Sequence, residues 1–314
     1  MPPSVARHAT AGRARGRIIG QVTQTVLTTM NAQGEHRVMD QLDFEFHRRQ
    51  DKALAGTGNV KATAYFMCEA LNIHSLLVRD ALRSVQYTAA TIAPTLSNEE
   101  AKFFMLYGPG RRLGMIWVSY SDILDHIATD RTEPLPHDEV ATVSRDLNVI
   151  YINIPGVLDN YALCLLHQVA TDKTKELPPV KVGLFSRDFM DDPNLTPLRP
   201  LLEEFGNWHK ELKTRRDPAV HRIPLYVPPA VLNPEELDRY RELEDQIADA
   251  FNSENFEQVD ELSDQQGRIG TFRSCFLHHP DDDIIPIYPT VPQDIANLIK
   301  IVKRVHTFLH ERER

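Results

Sequence analysis

The segment from His137 to Ala170 is the feature that most limits how this chain can fold. Its apolar residues recur at intervals of three and four, which is the spacing of one face of an α-helix. A helix of this length must bury that face against other helices, so the segment predicts a helical bundle. Pro155 lies inside it, and we expect a kink near Asn153. The buried face consists of Ile150, Ile154, Leu158, Tyr161 and Leu165.

Helical patterns also cover most of the remaining chain, so we predict an all-α protein. We expect two lobes, an N-terminal helical lobe over residues 18–130 and a helical bundle over residues 137–314, joined by the proline-containing loop 131–136. Residues 1–17 carry four arginines, and no acid appears before Glu35. They predict a disordered basic arm, with a transit peptide as the alternative. The other predicted helices are 18–30, 38–54, one from near Val60, one from Ser97, 113–127 and one from Val291.

Composition limits the classes of function. The formal net charge of −9 argues against a protein that coats DNA, so any nucleic-acid site must be a local basic patch. The three cysteines are far apart and lack metal-ligand spacing, which indicates reduced thiols and no metal site. Because no continuous apolar run reaches about 20 residues, we expect no membrane span and a cytoplasmic location. We also expect no cofactor.

An acidic helical pair is predicted at residues 233–267. Asn233, Pro234 and Glu236 provide an N-cap, a proline at the first helical position and an acid at the third. Twelve acidic side chains stand against two arginines between Glu235 and Asp264, so this pair should not contact nucleic acid. It is either a solvated insertion or a docking face for a basic protein partner.

A line of polar residues follows the long helix. Asn153, Asn160 and His167 recur every seven residues and therefore share one face. This face is either a solvated polar strip or a surface turned toward another helix or a ligand. We consider these three residues as candidate binding residues.

The stretch from Leu201 to Pro229 carries the candidate chemistry. Leu201, Phe205, Trp208 and Leu212 predict one apolar helical stripe, and the next turn should bring two arginines to the same side. The Asp217-Pro218 pair is then expected to interrupt the helix, because the residue before a proline is pushed out of helical geometry. A histidine follows at once. The key residues are Arg215, Arg216, Asp217, His221 and Arg222.

These side chains suit phosphate chemistry. The planar guanidinium of Arg216 can bind two phosphate oxygens, and an imidazole such as that of His221 can act as a general base near neutral pH. Lys213, Arg215 and Arg222 would add positive charge nearby. The structural alternative is equally concrete: Arg216 pairs with a carboxylate, Asp217 caps a turn, and His221 bonds a backbone carbonyl.

The helix around YINIPGVLDNYALCLLHQ, followed by a second helix ending in RRDPAVHR, resembles the HEPN superfamily (higher eukaryotes and prokaryotes nucleotide-binding domains). Many members carry an arginine and a histidine separated by four to six residues, with a polar residue directly after the arginine. Arg216, Asp217 and His221 fit this motif, while Pro218 departs from it. The likeness covers residues 137–222 and the terminal helix. Looser copies of the motif occur at Arg131/His137, Arg273/His278 and Arg304/His310.

The resemblance implies a compact α-helical bundle that cleaves RNA without a metal ion. Arg216, Asp217 and His221 would be catalytic, with the histidine acting on the ribose 2′-hydroxyl and the arginine holding the scissile phosphate. Such sites often form across a homodimer, and the protein would act as a toxin or defence effector. The alternative is a non-catalytic helical scaffold or protein-binding module.

Overall fold

The computed structural model describes residues 60–279 and 284–312, with side chains described from Leu71 onward. The basic arm 1–17 and the helices predicted at 18–30 and 38–54 lie outside these ranges. The short 3₁₀ turns are 93–95, 179–181 and 203–205. The helices and strands are α1 Val60–Ile92, α2 Glu99–Tyr107, α3 Pro109–His126, α4 His137–Gln168, α5 Asp172–Lys175, α6 Arg187–Met190, α7 Arg199–Leu202, α8 Gly206–His221, α9 Pro234–Asn252, α10 Phe256–Gln266, β1 Cys275–Phe276, β2 Ile285–Pro286 and α11 Ile287–Arg312.

Helix α4 is the central element, as its apolar pattern predicts. It is one continuous helix that passes through Pro155, and all five residues of the predicted core face are buried. Helices α2, α3, α8 and α11 pack on it, while α1 lies against α3 and α11. The prediction of an all-α protein is confirmed: 73% of the structure is helical.

The loop 131–136 is not a domain boundary, contrary to the two-lobe prediction. The described residues on both sides of the loop lie in one compact unit, because the helices before the loop pack on those after it. Backbone hydrogen bonds connect the loop itself to the C-terminal half of the chain. Leu135 is buried and donates its N–H to the carbonyl of Pro229, while Thr132 accepts from the N–H of Phe272. Proline and polar composition indicated a linker, but these long-range backbone bonds cannot be read from local sequence.

The chain from Arg222 to Val231 runs extended across α4. Asn148 on α4 exchanges two hydrogen bonds with the backbone of Leu225, at 2.8 and 2.9 Å. Tyr226 and Leu277 form an antiparallel bridge, and strands β1 and β2 pair antiparallel next to it. This segment fixes the direction in which α8 ends.

Helices α9 and α10 form the predicted acidic pair. Asn233 and Glu236 make both bonds of a capping box at the start of α9. Between the two helices lies a small separate core, and a backbone bridge between Val231 and Thr271 closes the base of the hairpin. The core contains Leu243, Ile247, Ala250, Val259, Leu262 and Ile269.

One described helix, α4, is long and apolar enough to cross a membrane by length and composition alone. In the most apolar window of α4, 61% of the residues are buried inside the bundle. A buried core helix of a globular protein passes the same test, so this observation is weak evidence for a membrane span.

Candidate functional site

Helix α8 has a buried face and an exposed face. Phe205, Trp208 and Leu212 are buried as predicted, but Leu201 is 44% exposed, because it belongs to α7 and a 3₁₀ turn breaks the periodicity. The expected interruption at Asp217-Pro218 is also wrong, since α8 continues to His221. Pro218 lies in the final turn, where its missing N–H removes only one backbone bond at the end of the helix.

Arg215 belongs to the buried face. Its Nη2 atom lies 3.0 Å from Oδ1 of Asp294 on α11, and both side chains are nearly inaccessible to solvent. Asp294 also accepts hydrogen bonds from the Tyr151 hydroxyl and from Nε1 of Trp208, each at 2.8 Å. Burial raises the pKa of Asp294, while the positive charge of Arg215 lowers it. Arg215 is therefore part of the buried framework rather than the exposed positive patch expected from sequence.

Arg216 and His221 lie outside this framework. The Nη1 atom of Arg216 bonds only its neighbour Asp217, at 3.0 Å, while its Nε is buried without a hydrogen bond in the described part of the chain. His221 is the last residue of α8 and is exposed, and its imidazole has no hydrogen bond to any described residue. Arg222, which follows, is exposed as well. Arg216 thus pairs with a carboxylate, as the structural alternative expected, but that carboxylate belongs to the exposed Asp217. The backbone-carbonyl partner that the same alternative expected for the His221 imidazole is not found among the described residues.

The helix separates the two motif residues. Five positions along an α-helix correspond to a rise of about 7.5 Å and a rotation of about 140°. Arg216 and His221 therefore leave α8 in different directions.

Asn153 and Asn160 hold an arginine that the sequence analysis did not single out. Arg112 on α3 donates from Nε to Oδ1 of Asn160 and from Nη1 to Oδ1 of Asn153, both at 2.9 Å. A Cβ atom on Gly156 would lie 2.6 Å from the guanidinium carbon, so only glycine leaves room for this side chain. At Asn153 and Asn160 the polar line on α4 thus faces another helix. This is the second of the two interpretations given above, and it differs from a solvated polar strip.

The same turn of α4 carries Asp159 at its rim. The charges of Arg216, Arg112 and Lys213 all act on this carboxyl and lower its pKa, but burial is the larger effect and raises it. These three cations outnumber the two carboxylates beside them, Asp159 and the Asp217 that bonds Arg216, which leaves a local positive excess on a chain whose formal charge is −9. Helices α3, α4 and α8 therefore supply one basic cluster, consisting of Arg112, Asp159, Lys213 and Arg216.

His167, the third member of the polar line, has a different environment. Its ring stacks on Phe104 of α2, with centroids 5.4 Å apart and the planes inclined by 12°. It lies two helical turns beyond Asn160. The structure shows no contact between His167 and the basic cluster.

An apolar groove of about 970 Å³ adjoins the end of α8. Ile152, Ile223 and Tyr226 line it and are each more than 40% exposed. His278 contributes to its wall, with Nδ1 3.1 Å from the carbonyl of Ile223.

Among the described residues, no group of three His, Cys, Asp or Glu side chains is arranged to hold a metal ion.

Comparisons with protein-family models, curated proteins and solved structures found no significant match to this chain. The likeness to HEPN domains therefore depends on the motif in α8 and on the helical pattern around it.

Proposed function

We propose that this protein cleaves RNA without a metal ion, with Arg216, Asp217 and His221 at the reaction centre. One observation carries the proposal: the Arg216 guanidinium and the His221 imidazole have no hydrogen bond to the packed body in the described chain, whereas the neighbouring Arg215 donates to the buried Asp294. Side chains that support the fold usually have partners there, whereas His221 is exposed and the Arg216 side chain is 34% exposed, near other cations.

The chemistry follows from the two side chains. The His221 imidazole removes the proton from a ribose 2′-hydroxyl, and the oxygen attacks the adjacent phosphorus. The bond from phosphorus to the 5′-oxygen breaks, the leaving oxygen takes up a proton from water, and a 2′,3′-cyclic phosphate remains. Arg216 binds the phosphate oxygens and stabilises the charge that develops on them. Asp217 holds the Arg216 guanidinium through the 3.0 Å contact with Nη1.

A homodimer would complete this site. In one chain, Arg216 and His221 point in directions about 140° apart, so the arginine of one copy and the histidine of another can meet more easily than the two on one helix. The resemblance to HEPN domains supports the same arrangement. We place the activity in the cytoplasm, in a toxin or defence effector that a protein partner restrains.

Cleavage of labelled single-stranded RNA in the presence of EDTA tests the proposal. The wild type should produce fragments that end in a cyclic phosphate, and His221→Ala should not. His310→Ala is the matched control, because His310 belongs to a looser copy of the motif and is also exposed. If the two variants behave alike, the proposed site is wrong.

A second candidate function, protein binding, is supported by the α9–α10 hairpin. This hairpin has its own small core, and Phe251 and Phe256 are 61% and 58% exposed at its tip. Their rings meet edge to face with centroids 6.0 Å apart. An acidic surface with exposed aromatic rings suits a basic protein partner. Exchanging both phenylalanines for serine should abolish such binding and leave RNA cleavage unchanged.

A further inference from the structure

The interior of the basic cluster contains a cation that is fixed before any ligand arrives. Two amide oxygens hold the Nε and Nη1 edges of the Arg112 guanidinium at 2.9 Å each. Asn153 is itself fixed, because its Nδ2 donates to the carbonyl of Val149 at 2.8 Å. Amide oxygens orient a guanidinium without neutralising it, in contrast to the carboxylate that neutralises Arg215.

Close packing supports the same orientation. Gly156 leaves space for the guanidinium carbon, and Gly108 leaves space for the side chain of Asn160, which a Cβ atom would approach to 2.5 Å. Arg112 is half-buried and its Nη2 has no hydrogen bond in the described part of the chain. Nη2 is thus free to donate to a ligand, and Arg112 lies close enough to Asp159 for its charge to act on that carboxyl, as do the charges of Lys213 and Arg216.

We propose that Arg112, held by Asn153 and Asn160, is a second phosphate-binding residue that takes a backbone phosphate of a single-stranded RNA next to the phosphate at Arg216. This inference rests on the proposed function. A fixed guanidinium loses little side-chain entropy on binding, and Lys213 adds a mobile charge beside it. Arg112 would thus position the strand and is separate from the residues that perform the chemistry.

Binding of a fluorescent 2′-O-methyl RNA oligonucleotide tests the inference, because this RNA lacks the 2′-hydroxyl and cannot be cleaved. Arg112→Gln should weaken binding about tenfold, since it removes a charged hydrogen bond. It should also reduce the slope of log affinity against log salt by about 0.7. Arg111→Gln is the matched control: Arg111 has the same charge but lies over the Tyr107 ring on the exposed side of α3. We expect less than about a twofold effect from it.

Gly156→Ala gives an independent test that leaves the arginine in place. The added methyl group would meet the guanidinium, which is the end of a flexible side chain, so Arg112 should swing away while α4 stays intact. We expect binding as weak as that of Arg112→Gln, with an unchanged helical signal in circular dichroism. Full affinity in Gly156→Ala, or equal losses in Arg111→Gln and Arg112→Gln, would overturn the inference.

The oligonucleotide experiment separates this inference from the proposed function. If the wild type cleaves ordinary RNA but Arg112→Gln binds the analogue as tightly as the wild type, only the inference fails. If Arg112→Gln weakens binding and the wild type cleaves nothing, the phosphate site stands and the nuclease proposal fails.

Discussion

Arg215 and Arg216 are neighbours of the same residue type, yet their side chains lie on different faces of α8. Arg215 is buried against Asp294, with 12% of its side chain exposed, while Arg216 lies on the outer face and bonds only the adjacent Asp217. Neighbouring helical residues differ by about 100° in direction, which is enough to separate the interior from the solvent. The comparison shows that one face of α8 packs in the core and leaves Arg216 and His221 outside it, where the proposed chemistry would take place.

This division explains why an arginine can occupy a core position. The Asp294 carboxylate receives three donors, from Tyr151, Trp208 and Arg215, so neither charge is left without a partner. A buried ion is tolerated when a charge of opposite sign and hydrogen bonds compensate for its lost hydration. The exposed groups of the outer face, such as the His221 imidazole, carry no such requirement, because water reaches them.

The largest expected effect belongs to the buried face. Arg215→Ala leaves the Asp294 carboxylate without its cation, and we expect the free energy of unfolding to fall by about 3–5 kcal/mol. Arg216→Ala is the matched control and should change it by no more than about 0.5 kcal/mol. Urea denaturation of both variants measures the difference. Equal losses in the two variants would contradict the division of α8 into two faces.

A smaller effect concerns His306 on the buried side of α11. Its Nε2 lies 2.6 Å from the Tyr161 hydroxyl, and burial lowers its pKa from 6.5 to about 4. The unfolded chain takes up a proton below pH 6.5 while the folded chain does not, so the free energy of unfolding falls as the pH decreases. Between pH 7 and pH 5 we expect this residue to contribute a loss of about 2 kcal/mol.

Thermal or urea unfolding at the two pH values checks this expectation. His306→Gln should remove about that share of the pH dependence, whereas His221→Ala on the outer face should leave it unchanged. An identical pH dependence in the wild type and in His306→Gln would contradict the account of His306.

The smallest effect is expected from removing the acidic hairpin. Val231 and Thr271 already lie side by side, bonded at 2.9 and 3.0 Å, so a short Gly-Ser linker can replace residues 232–270. Because the hairpin packs on its own core, we expect the body to lose less than about 1 kcal/mol. RNA cleavage should persist. A loss of cleavage in a stably folded deletion variant would make the hairpin part of the nuclease.

Sequence periodicity predicted the elements that depend on local pattern. The stripe of α4 and the capping box of α9 were both found as expected, because each signal is contained within a few turns of chain. Pro218 was misjudged, since a proline in the final turn does not end a helix. The join at 131–136 was misjudged because its partners, Pro229 and Phe272, are distant in sequence.

The candidate site was only partly predictable for the same reason. The seven-residue spacing of Asn153 and Asn160 indicated a polar face, but not the residue it faces. Arg112 lies 41 positions before Asn153. No local pattern links an arginine near the start of α3 to an amide on α4. Likewise, the motif did not reveal which of the two adjacent arginines enters the core. That depends on how α8 packs against Asp294 of α11, which is distant in sequence.

Cleavage by wild-type protein and by His221→Ala, each incubated with labelled RNA and EDTA, tests the central claim most directly. General acid–base catalysis contributes about 10²–10⁴-fold, so His221→Ala should lose at least about 100-fold in cleavage rate. Its melting temperature should equal that of the wild type, because His221 is exposed and has no described hydrogen bond. Wild-type protein that leaves RNA intact, together with a His221→Ala variant that melts several degrees lower, would contradict the account.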